Sequence, residues 1–231
     1  MVKSPLARIL LCLGVLALIG VSALALGNRN GIVTTSDGRQ VIATKGPSKI
    51  TPNDPNSDTG LTRIAGNLSY YPYGTYFCCY GNTIAGPNAG FGHTYWAAMG
   101  FTPAADATVN IIRASVGFVT GVNQIVLGLY ADSNGIPGKA LFKAETSRAL
   151  GTFGNCCVLA VVNDTAGVSV KAGTPYWVVV STDSKSATTF AAWAFNSTDE
   201  RENINRVSYY VDGTWTSGTS LQAGYSVLSS N

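Results

Sequence analysis

Apolar and polar positions alternate along most of the chain after residue 67, in short runs separated by turn residues. Gln124 to Leu141, QIVLGLYADSNGIPGKAL, sets the pattern: Ile125, Leu127 and Leu129 alternate with other residues before Asp132-Ser133-Asn134-Gly135 and Pro137-Gly138 break the run. A period of two that ends in Asn, Asp, Gly and Pro predicts a half-buried strand running into a tight turn. Ala172 to Ser181, AGTPYWVVVS, puts a glycine turn before Tyr176-Trp177-Val178-Val179-Val180. That run is too short for a typical helix and rich in side chains that suit a buried strand. Comparable runs cover 76–80, 95–101, 109–118, 124–130, 157–162, 176–181, 190–195, 207–211 and 224–228. Short strands at roughly even spacing predict an all-β fold, an antiparallel β-sandwich of jelly-roll-like form. The one window of helical composition is Lys139 to Leu150, KALFKAETSRAL, where a strand or loop fits equally well after Pro137-Gly138.

The beginning of the chain follows another pattern. Lys3 and Arg8 make a basic start, Ile9 to Val21 is an apolar run broken only by glycines, and Ser22-Ala23-Leu24-Ala25 offers an A-x-A-like cleavage site. Residues 1–25 therefore read as a secretory signal peptide, with an uncleaved anchor as the alternative because Ile9 to Leu26 reaches about 18 residues. Cys12 lies early in the apolar run after Leu10-Leu11 and does not fit a lipid-attachment site. Residues 26–66 are poor in aromatic residues and rich in Asn, Asp, Pro, Gly, Ser and Thr, too little apolar surface to offset chain entropy. They are expected to be a flexible linker, with one short hairpin in IVTTSDGRQVIA, closed at Asp37-Gly38 and marginal on its own. The sandwich domain is expected over 67–231.

Charge narrows the partners. Of 15 basic residues Lys3 and Arg8 fall in the signal segment, leaving 13 against 12 acidic ones, a net charge of +1 after cleavage. Such a chain has no basic stripe for nucleic acid and no anionic-membrane patch. Four of the five cysteines form adjacent pairs, Cys78-Cys79 and Cys156-Cys157. In an exported protein these read as disulfides. Bridges between the pairs, direct or crossed, are favoured over strained vicinal bonds; a loop of about 80 residues closed this way contributes about 4.5 kcal/mol on the chain-entropy estimate. A four-cysteine zinc site is the alternative, against which stands the lack of C-x2-C spacing.

Candidate chemistry is sparse. His93 is the only histidine and no nucleophile motif accompanies it, so it is expected at a loop or strand edge. Asp199-Glu200-Arg201-Glu202 reads as a solvated loop. Asp132 to Gly135 begins like a calcium loop, but Ile136 and Lys143 break that pattern and turn chemistry accounts for the segment. No catalytic residue, metal ligand or cofactor is assigned. The sequons at Asn67, Asn163 and Asn196 are assigned no function. Aromatic residues are the best lead: Tyr70, Tyr71, Tyr73, Tyr76 and Tyr80 crowd the start of the domain, and Tyr209, Tyr210 and Trp215 cluster late. Exposed rings stack on sugars, and Trp215, in the turn-rich DGTWTSG, is the first candidate for glycan contact, while Trp177 and Trp193 are expected in the core.

Met99 to Pro103 (MGFTP), the strand Val109 to Phe118, Val126 to Asp132 (VLGLYAD), Gly135 to Gly138 (GIPG), Ala172 to Trp177 (AGTPYW) and the late Trp193 resemble, in order and spacing, the bacterial choice-of-anchor R domain. The resemblance spans about two thirds of the expected domain. It implies a surface-protein module similar in architecture to carbohydrate-binding sandwiches and without an established activity. Such domains carry a C-terminal sorting signal, whereas this chain ends YSVLSSN, so free secretion is expected. The sequence thus leads to an exported, non-catalytic, structural or adhesive extracellular or cell-surface module. The alternatives are a carbohydrate-binding module whose partners are extracellular glycans or cell-surface components, and a hydrolase with an unrecognised carboxylate pair.

Overall fold

A computed structural model describes residues 32–34, 40–43, 47–49, 60–68, 73–153, 159–196, 206–218 and 222–230, with the backbone alone for 32–49, 73–80 and 196. These residues form an all-β, antiparallel sandwich. One layer is made by six strands of a 12-stranded sheet, in the order β15 (Thr214–Gly218), β14 (Val207–Val211), β6 (Tyr95–Phe101), β12 (Tyr176–Ser181), β9 (Val126–Ser133), β10 (Ile136–Glu145). The opposing layer is the four-stranded sheet of β11 (Ala160–Val170), β7 (Ala107–Ala114), β16 (Tyr225–Ser230) and β4 (Leu61–Gly66).

A third group of strands belongs to the same 12-stranded sheet as the first layer: β8 (Val116–Thr120), β13 (Phe190–Asn196) and β5 (Tyr73–Ala85) pair in that order. Ser115 links it to the four-stranded sheet, since β7 and β8 are one strand interrupted there. Its backbone N–H donates to Gly224 O, its backbone O accepts from Ala194 N, and its hydroxyl donates to both Ala194 O and Gly224 O. The chain thereby leaves one sheet and enters the next without stranding a buried polar group. β5 meets β6 of the six-stranded layer at the single pair Ala85 with Tyr95.

Alternation sets which side chains the two layers enclose. Ala97, Met99 and Phe101 of β6, Leu127 and Leu129 of β9, Tyr176, Val178 and Val180 of β12, and Val207 of β14 face inward. They meet Val109, Ile112 and Ala114 of β7, Val162 and Val170 of β11, and Tyr225 and Val227 of β16. Trp193, fully buried, fills the junction, its Nε1–H donating to Gly224 O at 2.8 Å. β12 is buried along its whole length, as its unbroken apolar run requires of a central strand covered on both sides.

One of three segments departs from the sequence expectation, while the other two take a form that the sequence allowed. Lys139 to Leu150 contributes to β10: Phe142 and Ala144 turn onto the core while Leu141 stays 39% exposed, a period of two that overrides helical composition. Leu61–Gly66, expected to be linker, is β4; Ile64 and Ala65 pack on the core and the strand is held by pairing with β16. The arms of the expected hairpin are β1 (Ile32–Thr34) and β2 (Gln40–Ala43), paired Ile32 to Ile42. β2 also adds to β5, so the ribbon does not stand alone. A further short strand, β3 (Pro47–Lys49), pairs with β5 as well. Asp37-Gly38 and residues 1–31 lie outside the described residues.

Candidate functional site

The outer face of the six-stranded layer gathers most of the aromatic side chains that do not enter the core. On β6, Trp96, Ala98 and Gly100 point opposite to the inward set; on β12, Trp177 and Val179 do; on β9, Gly128, Tyr130 and Asp132; on β14, Ser208 and Tyr210. Ala98, Trp177 and Val179 form a second buried cluster, against which Tyr130 and Trp215 pack. Gly128 makes this packing feasible, because a Cβ there would lie 3.0 Å from the Tyr130 ring and 2.7 Å from Phe142 O. Burial raises the Tyr130 hydroxyl above its ordinary pKa of 10.0.

Along one edge of this face three half-buried rings form a row. Register places Trp96 beside Tyr210 and Tyr210 beside Trp215. Trp96 stacks on Tyr210 with centroids 4.0 Å apart and planes 10° from parallel, and Tyr210 meets Trp215 at 5.3 Å and 62°. The Trp96 Nε1–H donates to Thr182 Oγ1 at 2.9 Å.

The opposite end of the face is tied by Asp132. Its Oδ1 accepts from Trp177 Nε1 at 2.8 Å and from Arg206 Nη2 at 2.7 Å, and its Oδ2 accepts from Gly135 N at 3.0 Å. Arg206 lies 5.1 Å over the Trp177 ring, a cation–π contact that roofs the indole. Asn134 and Gly135 both have positive φ, 53° and 83°, the two-residue hairpin geometry that suits Asn-Gly. This turn reaches across to β15, where the Ser217 hydroxyl donates to Gly135 O at 2.6 Å. Asp132 thus serves both turn chemistry and long-range anchoring; among the described residues no group of three or more His, Cys, Asp or Glu side chains gathers into a metal site.

A second two-residue turn, Asp212-Gly213, joins β14 to β15, again with positive φ at both positions. Asp212 Oδ1 accepts from Thr94 N at 2.8 Å, and Oδ2 pairs with His93 Nδ1 at 2.5 Å. The Thr94 amide first, and then the His93 ring, hold the Asp212 carboxyl below its ordinary value of 3.8. His93 is therefore an exposed partner of this hairpin, with its ring against Tyr95 at 6.1 Å.

Of the sequence candidates, Tyr210 and Trp215 are brought together, while Tyr209 is turned to the other face and packs against the main core. Adjacent strand residues cannot share a face. Trp215 occupies a strand rather than a loop, placed there by the Asp212-Gly213 turn. Trp193 is in the core; Trp177 is buried too, but in the outer cluster. Cys78 and Cys79 sit on β5 with their side chains outside the description, and Cys156 and Cys157, like Tyr70 and Tyr71, lie outside the described residues. Trp96, Asp132 and Arg206 were missed as members of one face. The alternation of small residues opposite Ala97, Met99 and Phe101 was the signal for Trp96, whereas nothing local joins Arg206 to Asp132. No protein-family model matches the chain, and comparison with curated proteins and with solved structures likewise yields no match.

Proposed function

We propose that the protein is an exported, non-catalytic β-sandwich module that works outside the cell or at its surface, in a structural or adhesive role. The observation that carries this reading is the use made of the groups on the aromatic face. Asp132, Arg206 and the indole N–H groups of Trp96 and Trp177 are spent on one another or on neighbouring strands, and the rings of Trp96, Tyr210 and Trp215 lie against each other. Groups committed in this way stiffen a sheet; a reactive centre needs them turned toward a substrate. The order of motifs that resembles the choice-of-anchor R domain supports the same role, as does the basic, apolar, A-x-A-like start of the chain.

Disulfides between the two cysteine pairs belong to this proposal. Ala194 pairs with Gly81, two residues beyond Cys79, and packs with Leu159, two residues beyond Cys157. Gly81 and Leu159, each two residues after a cysteine pair, thus both lie at Ala194. The test is the intact mass of the protein recovered outside its native host, before and after reduction with alkylation. Loss of residues 1–25 and four alkyl groups gained only after reduction are expected. A full-length chain whose thiols react without reduction would overturn export and disulfides together.

A second reading, glycan binding, is favoured by one feature: Trp96, Tyr210 and Trp215 form a half-buried aromatic row on rigid strands. Stacking on a sugar needs a ring face, and two of these faces are already occupied by neighbours, which ranks this reading second. Binding on a glycan array that disappears in Trp215→Ala, while the variant keeps its fold, would raise it to first.

A further inference from the structure

β5 is a strand of 13 residues, and its two edges are held in different ways. β13 lines one of them from Phe190, opposite Ala85, to Ala194, opposite Gly81, without a break. The other edge is shared. β6 meets it at Ala85 alone, and β2 takes Asn82, Gly81 and Tyr80 through Val41, Ile42 and Ala43. β3 adds Pro47 opposite Phe77 and Lys49 opposite Tyr73, with a shift of register between them. An uncovered strand edge is a template for foreign strands, and here segments from the beginning of the chain cover it.

This cover is held by few bonds. β2 offers β5 three paired positions and β3 offers two, and Pro47 has no backbone N–H to give. Among the described residues β1 pairs with β2 alone, so strand pairing joins the ribbon to the sandwich through β5 and nowhere else. Its place in the chain lets it leave. Every other strand comes later, beginning with β4 at Leu61, and residues 50–60 span up to about 36 Å when extended. The ribbon can therefore peel from β5 while all remaining strand pairs are kept, and a two-stranded ribbon has little stability of its own to hold it in place.

We propose that residues 32–49 are an exchangeable strap, which closes the edge of β5 in cis and, once released, leaves that edge to accept an extended strand supplied in trans. Strand addition of this kind rests on backbone pairing along a free edge. The strap's own sequence is the occupant whose fit the structure records: Val41, Ile42 and Ala43 set an antiparallel register on β5, and a second copy of the same segment brings the same register. The tether gives the cis strap a high effective concentration, so a segment in trans competes well only where the cis strap is impaired. β13 keeps β5 anchored along its other edge in either state.

Fluorescence anisotropy of a labelled synthetic peptide with the sequence of residues 32–49, titrated with the purified protein, tests this in the wild type and in the double variant Val41→Pro/Ile42→Pro. The prolines remove two backbone N–H groups from β2 and leave β5 itself unchanged. The variant is expected to bind the peptide at least about tenfold more tightly than the wild type, because its acceptor edge is no longer occupied, and a peptide of scrambled order is expected not to bind. No binding to the variant, a smaller gain over the wild type, or equal binding of the scrambled peptide would overturn the proposal. Should the variant misfold, hydrogen exchange on the wild type decides: the amides of β2 must exchange at least about tenfold faster than those of β12, through an opening that needs no global unfolding. A smaller difference overturns the strap.

Discussion

Asp132→Ala is the sharpest test of how the outer face is held. The substitution removes the acceptor from three donors at once, Trp177 Nε1, Arg206 Nη2 and Gly135 N. Trp177 is only 1% exposed, so its orphaned N–H alone costs about 1–3 kcal/mol. The Arg206 and Asp132 side chains are 25% and 18% exposed, and a half-sheltered ion pair of this kind adds about 1 kcal/mol. The total comes to about 3 kcal/mol, read as a lower urea midpoint with an unchanged denaturant slope. Asp132→Asn retains an oxygen for the indole, loses the charge, and is expected to recover about half of that. A double-mutant cycle with Trp177→Phe isolates the indole bond and is expected to show coupling of about 1–2 kcal/mol. A cost below about 1 kcal/mol for Asp132→Ala, or a strictly additive cycle, would refute the view that this carboxylate organises the face.

Other substitutions probe the remaining contacts. Asn67→Ala deletes the amide that donates to Ala223 O at 3.1 Å and accepts from Tyr225 N at 3.0 Å inside the sandwich; a loss of about 2–4 kcal/mol in chemical unfolding is expected, and a near-neutral variant would contradict that role. Trp193→Phe leaves Gly224 O still accepting from Ser115, so its cost, about 1.5–3 kcal/mol by calorimetry, is chiefly that of a cavity. The Asp212 carboxyl is held below 3.8 by Thr94 and His93, so its stabilisation is present above that value and is lost as pH falls through the lower folded value. The melting-temperature gap between wild type and Asp212→Asn, which keeps a residue suited to positive φ, should therefore be open at neutral pH and close in strong acid; a gap that persists there would rule out the carboxylate as its source.

How far the fold was legible follows from which forces are local. Strand positions in the centre of the sandwich, such as β6 and β12, could be read from the chain because burial imposes a period of two or an unbroken apolar run on a short window. β10 was ambiguous because Lys, Ala, Leu and Glu favour helix locally, and only pairing with β9 turns Phe142 and Ala144 onto the core. β4 was hidden for the same reason in reverse: LTRIAG has little apolar surface of its own, and its partner β16 lies at the other end of the chain. Within the candidate site, Asp212-Gly213 carried a sufficient signal for a hairpin, which places Tyr210 and Trp215 opposite each other and sends Tyr209 to the core face. The contact of Arg206 with Asp132 spans 74 residues, and no window of sequence contains it.

The packing of the outer face also decides how a binding experiment must be read. Trp215 is a cross-strand neighbour of Tyr210 and packs on the Ala98, Trp177 and Val179 cluster, so Trp215→Ala removes a structural contact whether or not the ring meets a ligand. Lost binding alone would then follow from a loosened β14–β15 hairpin as readily as from a lost sugar contact. Tyr210→Phe separates the two cases, because it keeps the ring that stacks on Trp96 and deletes only the hydroxyl. A glycan-binding face that uses this row loses affinity in Tyr210→Phe with no change in unfolding, since a sugar hydroxyl loses its partner. A face built to stiffen the sheet shows the opposite dependence: Trp215→Ala lowers stability by about 1–2 kcal/mol, and Tyr210→Phe leaves both stability and surface adhesion as they were.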